Sequence, residues 1–310
     1  MNASHQVNGV LLLDKPKGLS SNHALQQVRR LFGKAKGGYA GTLDPLASGL
    51  LPISMGEATK FINYFSDARK SYEAIIKLGF SSTTGDAEGD LSETKVTSFD
   101  SLDLERVTQK FMGCIEQIPP MHSAIKIDGK PLYKLARQGK VVPREKRSVT
   151  IESLKLDKID HDVIGLSVSC SKGTYIRVLA EDIAQSLGTA GYLTSLRRTC
   201  LAGISVTDAL SFEQIEGVDL GLRYKLLKNI DFSLNHLPQL SLTRTEEQKF
   251  LNGMAVSVVN QRCSLGAISV HTQDGIFVGI AFVDDHGELK PKRLMSQEYV
   301  ANSRSMKEFN

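Results

Sequence analysis

No run of the 310-residue chain is long and apolar enough to span a bilayer. The opening Met1-Asn2-Ala3-Ser4-His5-Gln6 also lacks the basic and then apolar segments of a secretory signal, so a soluble, cytoplasmic protein is expected. Cys114, Cys170, Cys200 and Cys263 form no Cys-x-x-Cys pair, which argues against a zinc site and against a disulfide framework. Reduced structural thiols are the expectation. The histidines are equally dispersed, with no His-Glu-x-x-His, and no glycine-rich loop of the Walker or dinucleotide type occurs. Neither a metal nor a nucleotide cofactor is expected, which leaves chemistry done by side chains.

One carboxylate stands in an unusual frame. In Gly41-Thr42-Leu43-Asp44-Pro45-Leu46-Ala47-Ser48-Gly49-Leu50, Asp44 sits in a turn between two glycines, just before an apolar run. Pro45 fixes its own φ and pushes Asp44 toward extended geometry, while Gly41 and Gly49 allow another molecule to approach the backbone closely. An Asp-Pro pair alone is an ordinary turn, so a presented Asp44 needs support from the rest of the chain. The formal charge of +4 is modest, but Lys126, Lys130, Lys134, Arg137, Lys140, Arg144, Lys146 and Arg147 are opposed only by Asp128 and Glu145. Met121, Ile125, Ile127, Leu132, Tyr133, Leu135 and Val141-Val142 interleave with these cations. Such a segment suits an element that rests on the protein and grips a phosphate backbone, where counterion release supplies much of the affinity.

Val10-Leu11-Leu12-Leu13 predicts a buried strand, followed by a turn through Gly18 and a helix capped by Ser20 or Ser21 and stopped at Gly33. A loop is expected from Lys34 to Gly49. Tyr72, Ala74, Ile76, Leu78 and Phe80 alternate as a half-buried strand opened by Tyr72, and Leu104, Val107 and Phe111 mark a short helix. Ile118-Pro119-Pro120 then breaks regular structure and begins the basic segment. Ile164, Leu166, Val168 and Cys170 form a second alternating strand, and Ile176, Leu179, Ala180, Ile183 and Leu187 the buried face of a helix closed by Gly188. Without the βαβ rhythm of a parallel sheet, the class is α+β. After Leu237-Pro238, short strand candidates at 256–259, 266–270 and 276–282 predict a small separate β domain.

Several motifs occur in order: Gly9-Val10-Leu11-Leu12-Leu13-Asp14-Lys15-Pro16-x-Gly18, the Gly41 to Gly49 run, Ala58-Thr59-Lys60, Lys70-x-Tyr72, Thr84-Gly85-Asp86-Ala87-Glu88-Gly89, Gly173-Thr174-Tyr175-Ile176-Arg177 and Leu196-Arg197-Arg198. Together they resemble the TruB family of tRNA pseudouridine synthases over nearly the whole chain. The resemblance implies a mainly antiparallel, mixed sheet flanked by helices over residues 1–239, with 119–150 as an RNA-gripping thumb. It also implies a PUA-like RNA-binding β domain over 240–310, and tRNA as partner, its T-arm loop carrying the target uridine at position 55. One departure concerns Gly38-Tyr39-Ala40: the family commonly has a histidine where Tyr39 stands, filling space left by flipped nucleotides, and a threonine or similar residue where Ala40 stands. Tyrosine keeps a flat stacking face and loses the protonatable imidazole.

By the same resemblance Asp44 is the nucleophile. Pseudouridylation breaks the bond from C1′ to N1 and joins C1′ to C5 with no net change in atoms, so no redox cofactor or activated donor is needed. A carboxylate of ordinary pKa, about 3.9, is ionised at neutral pH and can form a covalent intermediate. Attack at uracil C6, attack at C1′, and proton acceptance along a glycal route are all open to Asp44. Arg177, at a helix start, is expected to orient and ionise Asp44 through a paired, charge-assisted contact. Tyr72 is expected to stack on uracil and assist loss of the C5 proton, Tyr175 to line the pocket, and Leu196 to exclude water that would divert the reaction to hydrolysis. Lys15 and Lys60 are candidates for backbone phosphate or loop positioning, Asp86 for RNA sugar or bases, and Tyr39 for loop insertion. Two other classes compete: an RNA-folding or RNA-binding protein acting through the basic segment, and a carboxylate glycosidase, for which no second carboxylate near Asp44 is evident. A self-contained RNA enzyme is most simply a monomer.

Overall fold

The computed structural model describes residues 7–308, apart from 67, 124, 128, 235–236 and 259–265. Residues 1–6, Ala124, Asp128, Val259 and Cys263, which enter the sequence expectations, lie outside the described residues.

The first sheet runs Gly9–Lys15, Ala47–Met55, Gly191–Leu201, Lys70–Leu78, Val163–Cys170, Arg147–Asp160 and Gly113–Gln117, with short strands Gly37–Tyr39 and Ile204–Ser205 attached to the second and third. Every pairing is antiparallel except that of Ala47–Met55 with Gly191–Leu201. This is the expected mainly antiparallel, mixed sheet of an α+β chain.

The continuous apolar character of Val10 to Leu13 follows from burial on both faces. Leu11 and Leu13 join a core with Ala24, Val28, Val107, Leu179 and Ile183, from helices Ser21–Leu31, Ser101–Phe111 and Ile176–Ser186. Val10 and Leu12 point the other way, into a second core shared with Phe61, Phe65, Leu242, Val270 and Phe277. That second core belongs partly to a five-stranded sheet ordered Gln239–Leu242, Gly266–Thr272, Phe277–Val283, Glu288–Leu294 and Val256–Ser257. The C-terminal β unit thus has its own hydrogen-bonded sheet and a hydrophobic core continuous with the back of the first. Phe61 and Phe277 meet edge to face across it at 5.1 Å.

Several boundaries differ from the sequence expectation. The expected loop from Lys34 to Gly49 contains the strand Gly37–Tyr39 and ends as the chain enters Ala47–Met55. The tyrosine strand opens at Lys70, and Phe80 leaves it for a separate two-stranded hairpin, Phe80–Ser82 with Leu91–Glu93. Within the basic segment, Lys126–Ile127 and Lys130–Pro131 pair and lead into helix Leu132–Ala136, while Arg147 onward is already in the sheet. No helix among the described residues is long and apolar enough to cross a membrane.

Candidate active site

The helix after the first turn supplies one hold on the Asp44 loop. Ser20 takes the cap position, its hydroxyl accepting from His23 N. Ser21 is thereby freed and buried, and its Oγ donates to Leu43 O at 2.9 Å and accepts from Leu43 N at 2.7 Å. On the other side of Asp44, Gly18 N donates to Pro45 O at 2.7 Å. Both neighbours of the carboxylate are therefore pinned, which is how a loop can hold a reactive group in one place. The two glycines serve an internal approach instead of an external one: a Cβ on Gly41 would lie 2.9 Å from Arg198 Nη1, and one on Gly49 2.3 Å from Arg198 O. Both also have positive φ.

Arg177 opens the helix Ile176–Ser186 and is 5% exposed, so it is no surface arginine. Its Nη2 lies 3.0 Å from Asp44 Oδ2 and donates to His122 O at 2.7 Å, while Nη1 donates to Thr84 O at 2.9 Å and lies 3.7 Å from Asp86 Oδ2. Nη2 meets one Asp44 oxygen and is also held by the His122 carbonyl, and Nη1 is held by the Thr84 carbonyl. Desolvation raises the Asp44 pKa, the charge of Arg177 opposes that rise, and Asp86 adds to it. Lys15 is fully buried, donates to Pro16 O and Leu19 O, and has its pKa lowered to about 8 by burial, with Asp44 holding it up. It supplies a second positive charge near the carboxylate and has no surface to offer a phosphate.

A cavity of about 290 Å³ collects Asp44, Tyr72, Tyr175, Arg177 and Leu196, with Lys70, His122, Ser123 and Arg198 also in its wall. Gln117 fixes Tyr175 from both sides, accepting from its N at 2.9 Å and donating to its O at 3.3 Å. Burial raises the pKa of both tyrosines. Three expected site residues lie elsewhere. Tyr39 packs against the first core. Asp86, 2% exposed, sits behind Arg177 with its Oδ1 accepting from Thr84 Oγ1 and Glu88 N. Lys60 is at the junction with the C-terminal sheet, paired to Glu57 at 2.7 Å and donating to Leu294 O at 3.2 Å.

Residues 29–176 match the family model described as TruB family pseudouridylate synthase, N terminal domain, and residues 238–295 match that of pseudouridine synthase II TruB, C-terminal. A tRNA pseudouridine synthase B of Pseudomonas aeruginosa (strain UCBPP-PA14) is 44% identical over 93% of this chain and 96% of its own length. That of Dechloromonas aromatica (strain RCB) is 45% identical over 94% and 96%. The chain belongs to the TruB family of pseudouridylate synthases. Its fold is shared with a chain of a Cbf5-Nop10-Gar1 complex, at a TM-score of 0.72 and 21% identity, covering 95% of this chain and 87% of that one.

For a pseudouridine synthase, the residues that sequence patterns leave out are informative. Ser21, Gln117, His122 and Arg198 reach the site by distance contacts or through a main-chain carbonyl, so no local spacing marks them. Arg198 had only its place in the Leu196-Arg197-Arg198 motif as a signal. Among the described residues one grouping has donor atoms suited to a metal, Asp160, His161 and Asp162, at a turn of the first sheet, and Lys77 already pairs with Asp162. In the Asp44 cavity the carboxylate is paired with the Arg177 guanidinium.

Proposed function

We propose that this enzyme converts uridine to pseudouridine at position 55 in the T-arm loop of tRNA, with Asp44 as nucleophile acting on an extruded base. The observation that carries this reading is Asp44 itself: its loop is pinned on both sides, and its carboxylate is turned into a tyrosine-lined cavity on the scale of one nucleoside. In the reaction the N1–C1′ bond breaks, the uracil turns, C1′ joins C5, the C5 proton leaves and N1 takes up a proton. Arg177 keeps Asp44 ionised against desolvation, Tyr72 stacks on the base and assists departure of the C5 proton, Tyr175 lines the pocket, and Leu196 excludes water. Extruding the uridine costs roughly a few kcal/mol, which contacts to RNA must offset.

Segment 119–150 is the proposed thumb. Leu132 anchors it, fully buried, while Lys130, Lys134 and Lys140 stay near or on the surface. Because His122 O accepts from Arg177, the start of this segment also touches the partner of Asp44. Tyr39, half-buried against the first core, is proposed to meet the tRNA loop with the part of its ring that stays exposed. Residues 240–310 are the proposed second RNA module, and a cleft of about 810 Å³ at its junction with the catalytic part is lined by Lys60, Asn63, Tyr64, Arg69, Lys292 and Arg293. Its cations suit a sugar-phosphate backbone. Lys292→Ala is expected to weaken tRNA binding and to reduce the slope of log affinity against log salt by about 1. An unchanged slope in a salt titration would remove Lys292 from the RNA contacts.

The reaction is tested by tritium release from tRNA labelled at uracil C5, with the modified nucleotide mapped. Release with pseudouridine at position 55 is expected. Pseudouridine at another position would overturn the T-arm assignment, and no release from a folded, tRNA-binding protein would favour the RNA-folding reading.

A further inference from the structure

Arg198 is the largest fully buried side chain among the described residues, at 0% exposure. A charge so placed requires several partners to offset its lost hydration. Nε donates to Leu50 O at 2.7 Å and Nη2 to Gly41 O at 2.9 Å, so the guanidinium ties the strand after the Asp44 loop to the glycine turn before it. Nη1 is buried without a well-formed hydrogen bond, and the Tyr72 hydroxyl is the side-chain group that interacts with the guanidinium. In the sheet Arg198 lies directly opposite Tyr72, which places their side chains on the same face as cross-strand neighbours. Both line the Asp44 cavity. Burial raises the pKa of the Tyr72 phenol, and the Arg198 charge is the largest influence opposing it.

We propose that Arg198 is a positioning residue of the isomerisation, holding the Asp44 loop through the Gly41 carbonyl and orienting the Tyr72 hydroxyl with its uncommitted Nη1. Arginine suits this place because a planar fork serves Leu50, Gly41 and Tyr72 at once, whereas an ammonium on a flexible stem cannot satisfy all three. The Gly41 requirement has the same origin: a methyl there would press on Nη1. The inference rests on Asp44 and Tyr72 carrying the reaction.

The test combines Arg198→Lys, Tyr72→Phe and the double variant, measuring single-turnover tritium release at saturating tRNA, the tRNA Kd, and thermal unfolding. Arg198→Lys is expected to lose on the order of 10²-fold in rate with a Kd within about threefold of wild type. In the Tyr72→Phe background the same substitution is expected to cost far less, because its main target is already gone. Effects that multiply in full would overturn the proposal, as would a folded Arg198→Lys enzyme with the wild-type rate. Tyr72→Phe keeps Arg198 in place and supplies a readout if the arginine variants unfold. Loss of the hydroxyl removes the interaction that offsets burial of the guanidinium, so a melting temperature lower by about 2–4 °C is expected, and an unchanged or higher one overturns the contact. Failure of the underlying reading is told apart by the wild type, which would then release no tritium.

Discussion

Asp44→Asn is expected to abolish tritium release from tRNA, by at least about 10⁴-fold in single turnover, with tRNA affinity within about threefold of wild type. Asparagine has nearly the shape of aspartate, and the Ser21–Leu43 and Gly18–Pro45 hydrogen bonds that hold the loop involve no atom of the Asp44 side chain. Only the charge and the nucleophilic oxygen are lost. Asp44 has a raised pKa in the fold, so its ionised form is disfavoured there relative to the unfolded chain, and at neutral pH that disfavour weakens the native state. A neutral isostere relieves it, giving a melting temperature equal to or above that of wild type. A variant with tRNA binding reduced in proportion to its rate would show that Asp44 serves binding rather than chemistry.

Arg177→Met is the second large effect, an expected loss of on the order of 10²- to 10³-fold in single-turnover rate. The guanidinium is the cation in contact with Asp44 and Asp86, and its charge also bears on Glu88 and Glu181. Without it the carboxylates face one another with less compensation, and some stability is lost as well. The pH profile gives the more specific readout. The reactive form of Asp44 is the carboxylate, so activity falls as pH drops through its pKa, which desolvation raises and Arg177 lowers. Removing Arg177 takes away the lowering influence, so the acid limb of the variant should move to higher pH. Rate against pH for wild type and variant, at saturating tRNA, checks this. A limb that stays in place while the rate falls would mean that Arg177 acts by geometry alone.

The insertion meets the reaction centre through the His122 carbonyl on Arg177 Nη2 and through Ser123, in the cavity wall beside Tyr175. The junction cleft with Lys60, Lys292 and Arg293 is built from the helical segment and loop at 60–69, the turn at 202–203 and the strand Glu288–Leu294. Because the C-terminal sheet shares its hydrophobic core with Val10, Leu12, Leu50 and Phe61, cutting the chain near residue 240 would expose apolar surface of the catalytic part. Point substitutions in the cleft are the cleaner probe of RNA binding.

The linear sequence determined the parts whose signals are local. The apolar run of Val10 to Leu13, the alternation of Ile164 to Cys170, the helical face from Ile176 to Leu187 and the Asp-Pro turn are each contained within a dozen residues, and each specifies an element or a turn by its own periodicity or backbone restriction; that the turn presents a carboxylate needed the other motifs. The ordered motifs brought Asp44, Tyr72, Tyr175, Arg177 and Leu196 into one site by resemblance, without showing how they meet. Tertiary structure alone decided what those residues touch. Leu196 and Arg198 stand on Gly191–Leu201, a strand whose alternation is interrupted by two register shifts against Lys70–Leu78. Ser21, His122, Gln117 and Arg198 act across gaps of 22, 55, 58 and 157 residues. No local pattern records such separations; they exist because burying both faces of the first sheet forces the polar groups enclosed with it to find partners in the folded chain.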